Sequence, residues 1–455
     1  MKRPGPVSTA MPSAAMRAAP IGAARMPATL PQLRECPGCG LIQMVPELTP
    51  GLSAQCARCP TILRRASAHR LEHIIALTAA ALVLLTVMCA SALMSVETAG
   101  IAHAADLFSG PEELVRQEMA PLAGVVLFVT VLAPFVRLLG TFYVLVRAHE
   151  RTPPRHLRLI FALAERLRPW SMIEVFVLGV FVAYVKLGDL VTIGLKTGVW
   201  ALLALTFVLV WVDSALDREK VWERLDHHDR HRDRPDAAPR HIGGAVGCET
   251  CGLVSAPHPA NPRCPRCGEM LHRRRPNSVA RTWALVIAAT ILYIPANYYP
   301  VLTVVQLGAG QPSTILGGVE ELIDARQYPL AALVFFASIL VPVLKLVGLS
   351  VMLTATQTGR VGWLRDRTRL YHIVRFIGRW SMIDIFMESL LGALVTFGAL
   401  VTIQPGVGAL AFCAVVVLTM FAAETFDPRL MWDAADARAP RAAGSAAIGP
   451  SISGH

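Results

Sequence analysis

Charged residues are scarce in this chain of 455 residues. Asp, Glu, Lys and Arg make up only 16% of it, whereas 54% is hydrophobic. Soluble domains usually carry about 25% charged residues, so the deficit argues against an ordinary soluble protein and indicates a polytopic membrane protein. The net charge of +11 does not indicate nucleic-acid binding, because the arginines cluster in short connections between hydrophobic runs, as membrane topology requires.

Signatures of catalysis and of export are also missing. No nucleotide-binding G-x-x-x-x-G-K-[ST] loop occurs and no Ser-His-Asp order is recognisable, so we expect no enzyme. Any transport energy would then come from a gradient, a partner or the distribution of the cargo. Residues 1–30 lack the hydrophobic core of about 7–15 residues that a signal peptide needs. We predict disordered tails at residues 1–32 and 434–455 from their composition.

What the chain does contain is a duplication. Residues 168–176 (RPWSMIEVF) match residues 378–386 (GRWSMIDIF), and the match continues without a gap to Trp222 and Trp432. A period this long indicates a duplicated domain rather than a solenoid repeat. Function should therefore be sought in the differences between the halves.

Long hydrophobic runs give the predicted spans, because about 20 helical residues cross a bilayer core of about 30 Å. The runs are Leu71–Met94, Pro121–Val146, Ser171–Ile193, Val199–Val212, Thr282–Val304, Pro329–Thr354, Ser381–Ile403 and Gly408–Ala423. The fold prediction is an all-α polytopic membrane protein with two tandem four-helix transmembrane modules, eight spans in total. The modules occupy residues 66–213 and 273–433, and a charged linker, residues 214–245, joins them.

The charges of the connecting loops orient the modules. Loops 147–169 and 355–379 each hold six arginines, whereas loops 95–120 and 305–328 are mainly acidic. Positively charged loops stay in the cytoplasm, so we expect both termini there. Tight turns are predicted where the last two spans of each module meet, at residues 194–196 in the first.

Eight of the ten cysteines form two sets of paired C-x-x-C sequences. The first set is Cys36, Cys39, Cys56 and Cys59, and the second is Cys248, Cys251, Cys264 and Cys267. Two such pairs about 12–20 residues apart are typical of a tetrahedral structural zinc site, although iron can use the same ligands. We predict zinc ribbons at residues 33–65 and 246–272, where the metal would stabilise segments too short to bury a core.

Several ionisable residues lie inside the predicted spans, where they are costly and usually face a bundle interior or a cavity. Lys186 and Asp189 lie at i and i+3 in the third span, and Asp384 and Glu388 lie at i and i+4 in the seventh. They are expected to form a network that changes protonation or pairing as the bundle moves. The alternatives are a static Lys186–Asp189 pair, a capping box that contains Asp384, and a Lys345 that snorkels to the membrane surface.

Four features together resemble the paraquat-inducible protein A family. They are the duplicated four-cysteine ribbons, RWSMIDIF at 379–386, YIPAN at 293–297 and PVLK at 342–345, and the resemblance covers about residues 33–432. The first half has Val87-Met88-Cys89 in place of Pro295-Ala296-Asn297, so a proline-broken opening span is expected only in the second half.

The resemblance implies an inner-membrane protein that works with a periplasmic MCE-domain tunnel protein. The pair would move phospholipid between the inner and outer membranes and contribute to envelope integrity, with proton coupling through intramembrane polar residues as a plausible energy source. The transport residues that it favours are Lys186, Asp189, Ser338, Lys345, Ser381, Asp384 and Thr402. Two alternatives stay open: an autonomous small-solute or ion transporter, and a membrane scaffold that docks a cytoplasmic protein through its ribbons.

Overall fold

A computed structural model of the chain describes residues 16–17, 33–46, 48–67, 69–98, 101–148, 150, 154, 156–188, 192–227, 244–256, 262–306, 309–394 and 401–438. Most of them are helical. The first half contains β1 (Met16–Arg17), β2 (Leu33–Glu35), β3 (Ile42–Met44), β4 (Ser53–Gln55), β5 (Ile62–Arg65), α1 (Leu71–Ala90), β6 (Met94–Thr98), β7 (Ile101–Ala105), α2 (Ser109–Arg116), α3 (Ala120–Leu127), α4 (Ala133–Arg147), α5 (His156–Leu167), α6 (Ile173–Gly188), β8 (Thr192–Leu195), α7 (Thr197–Ala215) and α8 (Arg218–His227).

The second half repeats this order of elements. It contains β9 (Val246–Gly247), β10 (Val254–Ser255), α9 (Ser278–Tyr298), β11 (Leu302–Gln306), β12 (Ala309–Ser313), α10 (Ile315–Asp324), α11 (Tyr328–Phe335), α12 (Val341–Thr358), α13 (Leu364–Ile377), α14 (Ile383–Leu394), β13 (Val401–Pro405), α15 (Val407–Thr425) and α16 (Arg429–Arg438). The two cysteine ribbons lie at one end of the helical bundle, which we call the ribbon side, and the strands between helices lie at the other, the sheet side.

Seven helical segments among the described residues are long and apolar enough to cross a membrane. They are Leu71–Ala90, Ala120–Arg147, His156–Lys186, Thr197–Ala215, Ser278–Tyr298, Tyr328–Thr358 and Val407–Thr425. The chain is therefore a multi-pass, mostly helical membrane protein, as predicted. The eighth predicted span corresponds to α14, which has 12 residues. Residues 395–400, which follow it, lie outside the described part of the chain.

A π-helical turn at Phe336–Leu340 joins α11 to α12. Pro342 follows it and has no N–H, so the carbonyl of Ser338 loses its usual intrahelical donor. The backbone accommodates this by a wider turn, in which the N–H of Val341 bonds the carbonyl of the first residue of the turn. The first half has the same device at Phe128–Leu132, so a proline kink inside a long span is a feature of both modules.

Short sheets cap the sheet side, and the sequence analysis missed them. In the first half, β6 pairs antiparallel with β7 and β8, and in the second half β11 pairs with β12 and β13. The predicted third span to Ile193 is therefore wrong, because α6 ends at Gly188, and the predicted turn at 194–196 overlaps β8. Residues such as Thr192 and Ile193 are β-branched and favour a strand when a partner is available.

The expected break at Pro295 is also absent. Helix α9 continues through Pro295 to Tyr298. The proline lies in the last turn of the helix, where the loss of one backbone hydrogen bond costs little continuity.

The two modules meet along α6 and α14. The rings of Phe176 and Phe386 pack edge to face with centroids 5.4 Å apart, and these residues are counterparts in the duplication. Gly179 allows the close approach, because a Cβ there would come within 2.8 Å of the Cβ of Phe386. A contact between equivalent residues indicates that a pseudo-twofold axis relates the modules.

Each ribbon lies against the module of the other half. Trp432, at the end of the second half, packs on the cysteines of the first ribbon, and Trp222, at the end of the first half, packs on those of the second. The Thr61 hydroxyl lies 3.1 Å from Nε2 of His372, which adds a polar contact between the first ribbon and α13. This crossing connects both modules on the ribbon side.

Helix α8 lies inside the segment that was predicted as a charged linker. Val221, Trp222 and Leu225 are buried on one face of it, and their spacing of three to four residues gives the apolar stripe of an amphipathic helix. Likewise, α16 continues to Arg438, beyond the predicted module boundary. Residues 228–243 and 439–455 lie outside the described residues.

Candidate functional site

The cysteines of each ribbon converge on one point. In the first ribbon the sulfurs of Cys36 and Cys59 are 3.4 Å apart, and those of Cys39 and Cys56 are 3.5 Å apart. The second ribbon repeats these distances, with 3.4 Å and 3.5 Å between its paired sulfurs. All eight cysteines are buried, and within each set the sulfurs lie within 4.8 Å of one another.

Glycines shape the turns that present these sulfurs. Gly40, Gly252 and Gly268 each follow the second cysteine of a C-x-x-C pair and have φ of +74°, +70° and +78°. Such left-handed conformations cost a side-chain-bearing residue energy but cost glycine little. The N–H of Gly40 bonds the carbonyl of Cys36 at 2.8 Å, which closes the first turn.

The donor set fits a metal ion. None of the described cysteines forms a disulfide, and four thiolates at metal–sulfur distances of about 2.3 Å would lie about 3.8 Å apart in a tetrahedron. The observed separations are close to that value. Both clusters can therefore bind a metal, and with four protein ligands neither would keep an open position for catalysis.

Metal content gives the first testable prediction. The purified wild-type chain should carry two metal ions, and Cys264→Ser should carry one, because three thiolates hold the ion more weakly than four. Elemental analysis by mass spectrometry after dialysis measures this ratio. Cys413→Ser is the matched control, since Cys413 is buried in α15 away from both clusters, and it should retain two ions. Equal metal content in all three proteins would contradict the assignment.

A buried arginine joins both ribbons to the end of the bundle. Arg429 contacts Glu35 of the first ribbon at 3.1 Å and Glu249 of the second at 2.5 Å. It also pairs with Asp427 at 2.9 Å. We call these four residues the ribbon clamp. Burial alone would raise the pKa of Asp427, but hydrogen bonds and the positive charge from Arg429 outweigh burial and lower that pKa. Arg274 reinforces the clamp through its contact with Glu35.

The first half has an opposite charge at the equivalent position. Glu219 is the counterpart of Arg429, and it pairs with Arg34 and Arg64 of the first ribbon. Burial, followed by repulsion from Arg266 and Arg64, lowers the pKa of Arg34 to about 10. Neighbouring residues of β2, Arg34 and Glu35, therefore connect the first ribbon to the ends of both halves.

A polar cluster lies between the modules at the α6–α14 contact. Asp384 and Glu388 are buried on α14, and Ser338 of the π-helical turn lies beside Asp384. Lys186 of α6 is close enough to act electrostatically on both carboxyl groups. The cluster thus combines residues from both halves. It brings together four of the residues noted in the sequence, among them Glu388, which was not included in the predicted transport set.

Two atoms of this cluster have no hydrogen-bond partner among the described residues. They are Oγ of Ser381 and Oδ1 of Asp384, and the two residues are 0% and 7% exposed. The capping-box interpretation requires the Ser381 hydroxyl to bond the helix backbone, so the described contacts contradict it. Buried polar atoms without partners are rare and usually have a function.

The hydroxyl of Ser338 limits how Asp384 can be satisfied. It donates to the carbonyl of Val334 at 2.7 Å, which leaves its oxygen as an acceptor. An ionised carboxylate is also only an acceptor. The Ser338–Asp384 pair is therefore satisfied by a proton on Asp384 or by rotation of the hydroxyl away from Val334. Such an arrangement has two states that differ in protonation.

The cations that follow the span prolines differ between the halves. Arg137 forms an ion pair with Asp213. Its counterpart Lys345 is only 1% exposed, and its Nζ donates to the carbonyl of Gly378 at 3.4 Å. Asp213 aligns with Ala423, so the acidic partner is missing from the second half. The snorkelling alternative for Lys345 is wrong, because its ammonium group does not reach the surface.

Two predicted residues are less well placed. Asp189 lies outside the described residues, so the predicted Lys186–Asp189 pair stays a prediction. Thr402 lies on β13, where its backbone pairs with Val305, at the sheet side of α14. The sequence analysis missed the clamp residues Glu35 and Arg429, since nothing in their local sequence links positions that are almost the whole chain apart.

Comparison with known proteins identifies the family. The chain matches the description "Paraquat-inducible protein A" over residues 71–226 and 279–436, which are the two helical modules. The chain belongs to the paraquat-inducible protein A family. It is 35% identical to "Intermembrane transport protein PqiA" of Escherichia coli (strain K12) over 407 residues, which cover 88% of this chain and 95% of that protein.

Further members of the family carry related names. This chain is 30% identical to "Lipophilic envelope-spanning tunnel protein A" of Escherichia coli (strain K12), over 88% of this chain and 91% of that protein. It is 25% identical to "Probable intermembrane transport protein" of Haemophilus influenzae, over 88% and 96% of the two chains. No solved structure matches the chain. The resemblance inferred from the ribbons and the three short motifs is thus confirmed.

Proposed function

We propose that this chain is the inner-membrane component of an intermembrane lipid transport system. It would load or extract phospholipid for a periplasmic MCE-domain tunnel protein and so contribute to outer-membrane and envelope integrity. The observation that carries the proposal is the similarity, over nearly nine-tenths of the chain, to proteins named for intermembrane transport and for a lipophilic envelope-spanning tunnel. Those names favour a transport protein over an enzyme.

The proposed topology follows from charge. The ribbon side carries the arginine-rich segments and the sheet side the acidic ones, so the ribbon side would face the cytoplasm together with both termini. A reducing cytoplasm keeps thiols free to bind metal, and zinc is the ion that four-cysteine ribbons most often hold. The two ions would stabilise the ribbons and the contacts that the ribbons make with the bundle.

The proposed mechanism uses the polar cluster as a gate. Lipid would enter a cleft between helices, and movement of one module against the other would separate Lys186 from Asp384 and Glu388. Loss of a buried cation beside a carboxylate favours the protonated acid. A proton on Asp384 is also what the neighbouring Ser338 hydroxyl can accept. Protonation and module movement would then be coupled, with Lys345, Ser381 and the undescribed Asp189 as further members of the network.

A reconstituted system tests the proposal. The chain would be placed in donor vesicles with isotopically labelled phospholipid, and transfer to acceptor vesicles would be measured with and without a soluble MCE-domain protein. We expect transfer only when both proteins are present. Transfer of a small solute by the chain alone, without lipid transfer, would support an autonomous transporter instead. Transfer of neither cargo, with the MCE-domain protein bound, would support a scaffold.

A further inference from the structure

A cavity of about 780 Å³ lies between the ribbons and the helical bundle. Its wall on the bundle side includes Arg168, Asp213 and Ser214 of the first half and Tyr371 and Arg375 of the second. Its wall on the ribbon side includes residues of both ribbons and the clamp residues Glu35, Glu249 and Arg429. The cavity therefore lies where the two halves and the two ribbons meet.

The chemistry of the wall favours water over a charged ligand. Eight arginines and seven acidic residues line the cavity, so neither sign has a large excess, and most of these side chains already form ion pairs with one another. A volume of this size has room for about two dozen water molecules at about 30 Å³ each. A chamber lined by paired charges is costly to leave empty, because polar groups without solvent or partners lose their hydration.

Specific atoms in the wall also require water. Oδ2 of Asp217 and Nε of Arg218 make no hydrogen bond within the described residues, and their ion-pair contacts to Lys220 and Glu165 lack hydrogen-bond geometry. Both residues line the cavity. Buried polar atoms in this situation are normally satisfied by ordered water.

The cavity comes close to the buried cations of the bundle. Asp213 in its wall pairs directly with Arg137, which lies ten residues, about 15 Å, before the ribbon-side end of α4. Arg375, also in the wall, is three residues, about 4.5 Å along the helix axis, from Gly378. The carbonyl of Gly378 holds the ammonium group of Lys345. Water in the cavity would thus contact the first cation and lie about one helical turn from the second.

We propose that this cavity is a water-filled vestibule that links the ribbon side to the buried polar residues between the modules. Protons or small ions would reach Lys345, and from there Asp384, through it. The ribbon clamp forms the outer wall and holds the vestibule closed towards the solvent. The vestibule itself does not depend on the identity of the cargo, but its role as an ion path rests on the proposed gate.

Hydroxyl-radical footprinting tests for the water. Radicals generated by a brief X-ray pulse oxidise side chains next to internal water. Trp222 lines the cavity and is 2% exposed, whereas its counterpart Trp432 packs on a ribbon, is 5% exposed and does not line the cavity. We expect oxidation of Trp222 and Tyr371 at several-fold higher rates than of Trp432, measured by peptide mass spectrometry on the metal-loaded protein. Equal protection of the two tryptophans would overturn the proposal.

A second measurement tests access from solution. Ser214 lines the cavity on an exposed part of α7. In vesicles with the ribbon side outward, Ser214→Cys should react with a permanently charged methanethiosulfonate reagent. Val347→Cys, exposed on the outside of α12, should not react, because it faces lipid. An unreactive Ser214→Cys in folded, metal-loaded protein would show that no aqueous route exists. Reactivity without lipid transfer in the reconstituted system would contradict only the proposed function.

Discussion

Asp384→Asn should abolish lipid transport while the protein accumulates to its normal level. The substitution keeps the size and one acceptor of the side chain but removes the group that can hold or lose a proton. Removing a buried charge does not orphan a strong partner here, because Oδ1 of Asp384 has no hydrogen bond within the described residues. Folding should therefore survive. The loss would be measured as the rate of labelled-phospholipid transfer at matched amounts of protein.

Its matched control is Glu174→Gln at the equivalent position of the first half. Glu174 is partly exposed and lies 3.6 Å from Arg379, an arrangement that contributes roughly 0–1 kcal/mol in exposed pairs. We expect nearly normal transfer in this variant. Normal transfer by Asp384→Asn, or an equal loss in both variants, would show that the polar cluster is not a gate.

Arg429→Ala should release the ribbons from the bundle. Arg429 is buried, and its removal leaves the carboxylates of Glu35 and Asp427 without their main cation. Breaking a buried ion pair by removal of one partner costs about 3–5 kcal/mol, a large part of a typical folding free energy of about 5–15 kcal/mol. We expect a marked fall in thermal stability and rapid proteolysis of the segment between the ribbons and the spans.

Glu249→Gln provides the comparison for the clamp. Glu249 also contacts Arg429, but its side chain is 43% exposed, so water can replace most of what the carboxylate contributes. The effect should be below about 1 kcal/mol. If Arg429→Ala were as stable as Glu249→Gln in the same thermal-denaturation assay, the clamp would not hold the ribbons in place.

Much of the architecture could be predicted because its signals are local. The spacing of Cys36 to Cys59 and of Cys248 to Cys267 indicates metal ribbons without any knowledge of the fold. The duplication likewise identifies Phe176 and Phe386 as equivalent positions, although not as contacting ones. Hydrophobic length predicted the spans, but it could not distinguish the ends of helices from strands such as β8.

Other features depend on contacts between distant parts of the chain. The docking of each ribbon on the opposite half has no local signal, because both ribbons precede their own modules in the sequence. The pairing of Glu35 with Arg429 spans 394 residues. The choice between a cap and a buried orphan for Ser381 was also decided only by packing against the other module. Pattern reasoning therefore finds the components, and tertiary structure decides which of them meet.

Photo-crosslinking from within the bundle tests the central claim most directly. Photoreactive amino acids would replace residues next to the polar cluster, such as Ile385, and residues on the lipid-facing surface, such as Val347, and the trapped molecules would be identified by mass spectrometry. The account predicts phospholipid enriched at the interior positions relative to the surface, and a periplasmic tunnel protein trapped from the sheet-side loops. An interior that traps no phospholipid, together with loops that trap no partner, would contradict it.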